Sequence, residues 1–163
     1  MTLIQLACQW LADTVIGTRI RESDNLFSAI ETVHVLGIVV TAGTIAIVDL
    51  RMLGVLLNRL SLHAVAEPLI RITWLGFAMM ASTGLLLFWS EADKLYFNLA
   101  FRLKMVLMLA AGVNQWQFHS THDAHLASWS APNIVPRQAK LGAILSLLLW
   151  SGIIVLGRAI AYL

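Results

Sequence analysis

Ionisable side chains lie inside or at the edges of apolar stretches of this sequence, where charge is costly and commonly functional. Glu31 and His34 begin one stretch, which then carries no charge until Asp49. Lys104 lies in a second apolar stretch. A neutral imidazole is a common ligand for transition metals and haem iron, and it also transfers protons. The pattern therefore indicates a cofactor site or a proton site within a membrane.

Helical periodicity places these residues in stripes, at about 100° per residue. Charged groups in membrane helices normally face the bundle interior, where they find partners. We therefore expect three stripes to face one another and form a polar seam that also includes Arg71. The stripes are Glu31, His34, Thr41 and Asp49; Lys104, Met108, Gln115 and His119; and Ser151, Arg158 and Tyr162.

Depth in the membrane divides this seam into two clusters. His34 and Lys104 each lie seven residues into their helices, roughly 10 Å below the same surface at 1.5 Å per residue. A cofactor site would use His34 as the ligand, with Lys104, Arg158 and Met108 beside it. The alternative is a set of structural contacts, in which Glu31 pairs with Arg158 and His34 bonds Lys104 or a backbone carbonyl. Both interpretations remain open at this point.

A second candidate site is the run "HSTHDAH". It spaces His119, His122 and His125 three residues apart, with Asp123 between the last two. On one helix, His119 and His122 would be neighbours, which suits a divalent metal. The alternative is that these histidines are solvated residues of a polar loop.

Composition identifies the elements that must position these residues. Of the 163 residues, 59% are hydrophobic and only 12% are charged, so lipid must replace water around most of the chain. A span needs about 20 helical residues. We predict an all-α fold, a single membrane domain over residues 1–163 with four transmembrane helices. The predicted spans are 27–50, 65–89, 97–118 and 141–163.

Two shorter stretches are amphipathic. Residues 1–18 place apolar side chains on one side of a helical wheel and polar ones opposite, which predicts a helix lying in the membrane interface. Residues 51–63 form a second short amphipathic piece, which links the first two spans.

Net charge and cysteine content limit the classes of partner and the covalent links that we expect for this chain. A net charge of +2, with scattered basic residues, argues against nucleic acid. Cys8 is the single cysteine, so no internal disulfide forms. The lipid bilayer is the expected partner, and a homo-oligomer or a larger membrane complex remains open.

Several motifs together resemble an uncharacterised family of small bacterial inner-membrane proteins. They are "IRES" before the first span, "ETVHVLG" and "VDLRMLG" around it, "NLAFRLKMVLMLAAGVNQWQFH" in the third, and "GRAIAYL" at the end. The resemblance covers nearly the whole chain. It implies a multi-pass protein of the bacterial inner (cytoplasmic) membrane and brings no activity with it.

A second resemblance concerns the first and third spans. A histidine early in span one, followed by a lysine in "KMVLMLAAGVNQWQFH", is similar to HemJ-type protoporphyrinogen oxidases. CopD-type membrane proteins share the "HVLG" start. The HemJ resemblance implies haem b, with His34 as ligand and Lys104 as the adjacent cation. A haem or related redox protein is thus the leading hypothesis. The alternatives are a non-catalytic accessory or assembly subunit, and a metal or proton conduit.

Overall fold

Helices form every regular element in the part of the chain that the structure describes. The structure is a computed structural model that describes residues 3–122 and 135–162, except for the side chains of His119 and His122. The predicted all-α fold class is confirmed. In chain order the helices are α1 (Leu3–Ala12), α2 (Val15–Glu22), α3 (Asp24–Met52), α4 (Leu62–Ser90), α5 (Ala92–Phe97), α6 (Leu99–His122) and α7 (Arg137–Ala159).

Three helices, α3, α4 and α7, are long and apolar enough to cross a membrane. This is the composition of an integral membrane protein. The four predicted spans are therefore confirmed for three helices only. The third predicted span corresponds to α6, which is 24 residues long. Arg102 and Lys104 near its start, and the polar residues of its last turns, lower its hydropathy.

Small residues let α3 and α4 cross closely as an antiparallel pair. A Cβ atom on Gly37 would lie 2.8 Å from the backbone nitrogen of Met80, and one on Gly76 would lie 2.8 Å from Oγ1 of Thr41. Further along, the hydroxyls of Thr44 and Thr73 are 2.7 Å apart. Glycine and threonine at these positions permit the close backbone approach that is typical of membrane helices. This contact fixes the register of α4 against the polar stripe of α3.

The α6–α7 pair forms the other half of the bundle, because α7 packs on α3 and α6 packs on α7. The side-chain amide of Asn98 donates to the carbonyl of Ile160 (3.2 Å), and that of Asn114 donates to the carbonyl of Gly142 (3.1 Å). Among the described residues, the α6 backbone does not closely approach α3 or α4. Phe101 of α6 reaches Phe88 of α4 through stacked rings whose centres are 5.5 Å apart.

The C-terminal end of α3 is held by buried polar contacts. Asp49 hydrogen-bonds Ser146 of α7. Fully buried Arg51 donates from Nε to the carbonyl of Leu60 (2.8 Å), and also from Nη2. Within the predicted amphipathic linker, residues 53–61 form turns and no helix. The reason is local: Gly54 takes a positive φ of 77° just after α3, which ends the helix.

The N-terminal region is two helices rather than the one predicted over residues 1–18. Thr14 separates them and caps α2, because its hydroxyl accepts from the backbone nitrogen of Gly17 (3.3 Å). The same hydroxyl accepts from Nε1 of Trp89 (2.8 Å). Arg21 donates from Nη1 to the carbonyls of Ala12 (3.2 Å) and Ser90 (3.1 Å). These bonds fasten α1 and α2 to the end of α4.

Arg21→Gln is expected to destabilise the fold by about 1–2 kcal/mol, because it removes two charge-assisted bonds that join three helices. Arg19→Gln is the matched control, since Arg19 is exposed. Thermal unfolding in detergent should show a lower midpoint for Arg21→Gln only. Equal midpoints for the two variants would contradict the role given to Arg21.

Candidate functional site

The imidazole of His34 is anchored to α4 through one ring nitrogen. Nδ1 lies 2.9 Å from the carbonyl oxygen of Met80 and 3.1 Å from the hydroxyl of Thr83. The Thr83 hydroxyl donates in turn to the carbonyl of Met79 (2.6 Å). Gly84 leaves room for the ring, since a Cβ there would lie 2.9 Å from its Cε1 atom. The ring therefore has a defined position between α3 and α4.

These contacts also assign the tautomer of the neutral ring. A carbonyl oxygen can only accept, so Nδ1 must carry the hydrogen that is donated to Met80. Nε2 of the neutral imidazole then holds a lone pair. No partner for Nε2 is found among the residues that the structure describes. Metal-binding histidines commonly show this arrangement, with one nitrogen bonded to a backbone carbonyl and the other left for the ligand.

Lys104 of α6 lies near this ring, close enough for an electrostatic interaction with His34. Its side chain is half-buried, and its ammonium group rests against α7, 3.4 Å from where a Cβ on Gly157 would be. The ion pairs in the described ranges are His63–Glu67 and Lys94–Glu91. Lys104 has neither an ion pair nor a hydrogen bond there. The site thus contains a cation that no carboxylate of the described residues neutralises.

Two stacked aromatic rings lie close to the His34 and Lys104 pair along α4 and α6. The stacked rings of Phe88 and Phe101 lie about one helical turn from Gly84 and Lys104, respectively. Polar groups in apolar surroundings interact more strongly than they would in water. The α6 backbone stays away from α3 and α4, so the interaction between His34 and Lys104 is made by their side chains. The arrangement brings a nitrogen donor and a cation near each other, a pair that could hold a metal and an anionic group.

The predicted Glu31–Arg158 pair is wrong, because it is not among the ion pairs of the described chain and both side chains are exposed. Arg158 donates from Nη2 to the Tyr162 hydroxyl (2.9 Å), and its guanidinium lies 5.3 Å from the centre of that ring. The buried face of α7 runs through Ala143, Ser146 and Ile153. Arg158 comes five residues after Ile153, about 140° around the helix. It therefore points away from the bundle.

Arg71 and Tyr162 also do not join an interior seam. Arg71 is exposed on α4, nine residues before buried Met80 and so on the opposite side of the helix. Tyr162 follows the end of α7 and is 72% exposed. Asp49 is the member of this group that lies inside, with only 4% exposure and its bond to Ser146.

The other predicted cofactor and metal ligands remain predictions. Met108 is half-buried on α6, one turn after Lys104. His119 and His122 lie in the last turn of α6, but their side chains belong to the part that the structure does not describe, as does His125. In the described ranges, no group of three histidine, cysteine or acidic residues could hold a metal ion.

The residues of α4 that position His34 were missed by the sequence interpretation, which placed the three stripes of the polar seam on α3, α6 and α7 and took only Arg71 from α4. They are Met80, Thr83 and Gly84 of α4. The sequence spacing could have shown this face of α4, because it places small residues together on one side of the helix. The residues on that side are Gly76, Met80, Thr83 and Gly84. Such a face predicts a close helix crossing opposite the Gly37 face of α3.

Comparison with known proteins identifies a family for this chain. A model described as a family of unknown function (DUF6644) matches residues 9–163. This confirms the resemblance to an uncharacterised family and adds no support for the HemJ or CopD resemblance. No curated protein and no solved structure matches this chain.

Proposed function

The chain belongs to DUF6644, a family of unknown function, and we propose that it is a membrane protein that binds haem b or a related redox cofactor. The observation that carries this proposal is the anchored ring of His34, whose Nε2 has no partner in the described chain, beside the unpaired Lys104. One group offers a lone pair and the other offers a positive charge. Haem needs both, because its iron takes a nitrogen ligand and its propionates are anionic.

Each residue has a separate task in this proposal. The bond from Nδ1 of His34 to the Met80 carbonyl orients the ring and makes Nε2 more basic. Lys104 is placed to bind a carboxylate. Phe88 and Phe101 keep water away on one side of the pair. Haem held there would supply one-electron redox chemistry.

Lys104→Gln is expected to weaken haem binding by roughly tenfold, because a charge-assisted bond to a carboxylate is lost. The measurement is a titration of haem into haem-free protein in detergent, followed by absorbance. Lys94→Gln is the matched control, since exposed Lys94 already pairs with Glu91 at 3.0 Å. If Lys104→Gln bound haem with unchanged affinity, Lys104 would not be part of the haem site.

We also propose four membrane crossings, with α6 as the remaining one, in the bacterial inner membrane. In support, α6 follows α7 from the Asn98–Ile160 contact to the Asn114–Gly142 contact. A helix of 24 residues is about 36 Å long, enough to span. In this topology α1 and α2 lie in the interface at one face.

Topology reporters test this directly. Reporters fused to the two ends of the chain are expected to respond from the same compartment, and a reporter inserted at Asn58 from the opposite one. Asn58 is exposed between α3 and α4, which makes it a suitable insertion point. Responses of the two ends from opposite compartments would show that only three helices cross.

The rival function is an accessory or assembly subunit without a cofactor. The bonds of His34 to Met80 and Thr83 favour it, because they already join α3 to α4. In that case the polar residues only hold the bundle together, and a larger complex or a second copy would be the partner. A metal or proton conduit through His119 and His122 is the third alternative.

A further inference from the structure

One side of α4 carries exposed side chains that point away from α3. The buried side of the same helix meets α3 through Gly76, Met80 and Thr83. Nine residues before each of these, an exposed residue lies on the opposite side, because nine residues make two and a half turns. The same stripe continues toward the end of α4 at a spacing of four residues. We call this stripe the outer face of α4. Its residues are Glu67, Arg71, Trp74, Ala78 and Ser82, all of them exposed.

Arg71 gives the outer face a positive charge that the described chain does not neutralise. The ion pairs in the described ranges do not include it. Glu67 is four residues earlier, the usual spacing for a pair on one helix, yet its carboxylate lies 3.5 Å from Nδ1 of His63 instead. Charged side chains of membrane helices are rarely left facing lipid, and they pair with one another. The outward position of Arg71 on a membrane-length helix therefore indicates a partner outside this chain.

Glu67 makes the outer face complementary to itself. Its side chain is 69% exposed, so its carboxylate is accessible to a neighbouring molecule. A lipid phosphate would meet Arg71 and this carboxylate together, and the two negative groups would repel each other. A surface with one charge of each sign suits a partner that also presents both signs. A second copy of this chain is such a partner.

Membrane geometry brings the opposite charges of two copies together. Two copies in one membrane share the same orientation, so a two-fold axis along the membrane normal relates them and their α4 helices run parallel. Glu67 and Arg71 are separated by about 6 Å along the helix axis, at 1.5 Å per residue. Two long side chains can cover that distance. Glu67 of each copy then meets Arg71 of the other copy, and the ion pair forms twice.

Small side chains on the outer face allow two such helices to approach. Ala78 and Ser82 are exposed and four residues apart, a spacing of small residues that is typical of contacts between membrane helices. The hydroxyl of Ser82 donates to the carbonyl of Met79 (3.2 Å), so it needs no acceptor across the contact. Trp74, which is 67% exposed, adds an apolar side chain that a second helix would cover.

We propose that two copies of this chain form a dimer through the outer face of α4, joined by reciprocal Glu67–Arg71 ion pairs. The proposal goes beyond the cofactor site and does not require haem at His34, which contacts the opposite side of α4.

The test is association of the full-length protein in phosphatidylcholine vesicles, measured by energy transfer between two labelled populations over a range of protein-to-lipid ratios. Glu67→Arg and Arg71→Glu each place like charges opposite each other, and each is expected to weaken association at least about tenfold. The double variant that carries both substitutions restores opposite charges and is expected to associate as the wild type does. Arg59→Glu is the matched control, because it makes the same charge change in the exposed turn before α4 and should leave association unchanged.

Three results would overturn the proposal. The first is a wild type that stays monomeric at every ratio. The second is a folded double variant that associates as weakly as the two single variants. The third is a monomer that retains added phosphatidylglycerol and loses it in Arg71→Glu, which would make lipid phosphate the partner of Arg71. Should the charge variants not fold, Ala78→Leu adds bulk where the helices would cross, and unchanged association of this variant would count against the dimer.

Discussion

His34→Asn is expected to bind at least about tenfold less haem than the wild type, while the helix bundle stays folded. An asparagine amide places a donor near the position of Nδ1, so the bond to the Met80 carbonyl can persist. The amide nitrogen has no lone pair to offer a metal, so nothing replaces Nε2. The readouts are the haem absorbance per protein and the thermal midpoint in detergent.

His63→Asn is the matched control for this substitution. His63 is in the first turn of α4, and its exposed side chain lies 3.5 Å from Glu67. This variant should bind as much haem as the wild type. Equal haem in both variants would mean that His34 is not the ligand. A large fall in the midpoint of His34→Asn together with haem-free wild type would support the rival function, in which His34 only joins α3 to α4.

Gly37→Ala is expected to destabilise the α3–α4 pair by about 1–3 kcal/mol, the usual range for adding a methyl group to a tightly packed interface. The new Cβ would lie 2.8 Å from the nitrogen and 3.0 Å from the Cα of Met80. These are backbone atoms, so the helices must separate. Because the carbonyl of Met80 also holds His34, the same separation should weaken haem binding.

Gly43→Ala provides the control within the same helix. No atom lies within 4 Å of a Cβ at position 43. Alanine is the better helix former by up to about 1 kcal/mol, so this variant should unfold at an equal or higher temperature. If Gly37→Ala and Gly43→Ala unfold at the same temperature, the close crossing of α3 and α4 is wrong.

The polar stripe of α3 was predictable because a helix repeats at about 100° per residue. His34, Thr41 and Asp49 all lie on the side of α3 that faces other helices. Glu31 belongs to the same stripe by angle, yet it is exposed. Periodicity assigns a direction around the helix axis, and it does not show where the neighbouring helix ends. Near the end of a span, a long side chain can extend toward the membrane surface.

A backbone carbonyl was one of the predicted partners of His34, but which carbonyl it is could not be predicted from residue types. The main partner is the carbonyl of Met80, and every residue carries such a group. Which carbonyl is reached depends on the register of α3 against α4, and Gly37 and Gly76 fix that register. Similarly, the break between α1 and α2 depends on Thr14, which caps α2 and accepts from Trp89. The hydrogen bond from Trp89, a residue distant in sequence, therefore helps to fix Thr14 as the cap of α2.

The most direct test of the cofactor site at His34 and Lys104 is to measure haem and iron per chain. The full-length protein is purified in mild detergent for this purpose. Expression with added haem ensures that supply does not limit loading. We expect equimolar haem and iron in the wild type, retained by His63→Asn and lost by His34→Asn. Folded wild-type protein that contains neither haem nor iron would contradict the cofactor site at His34 and Lys104.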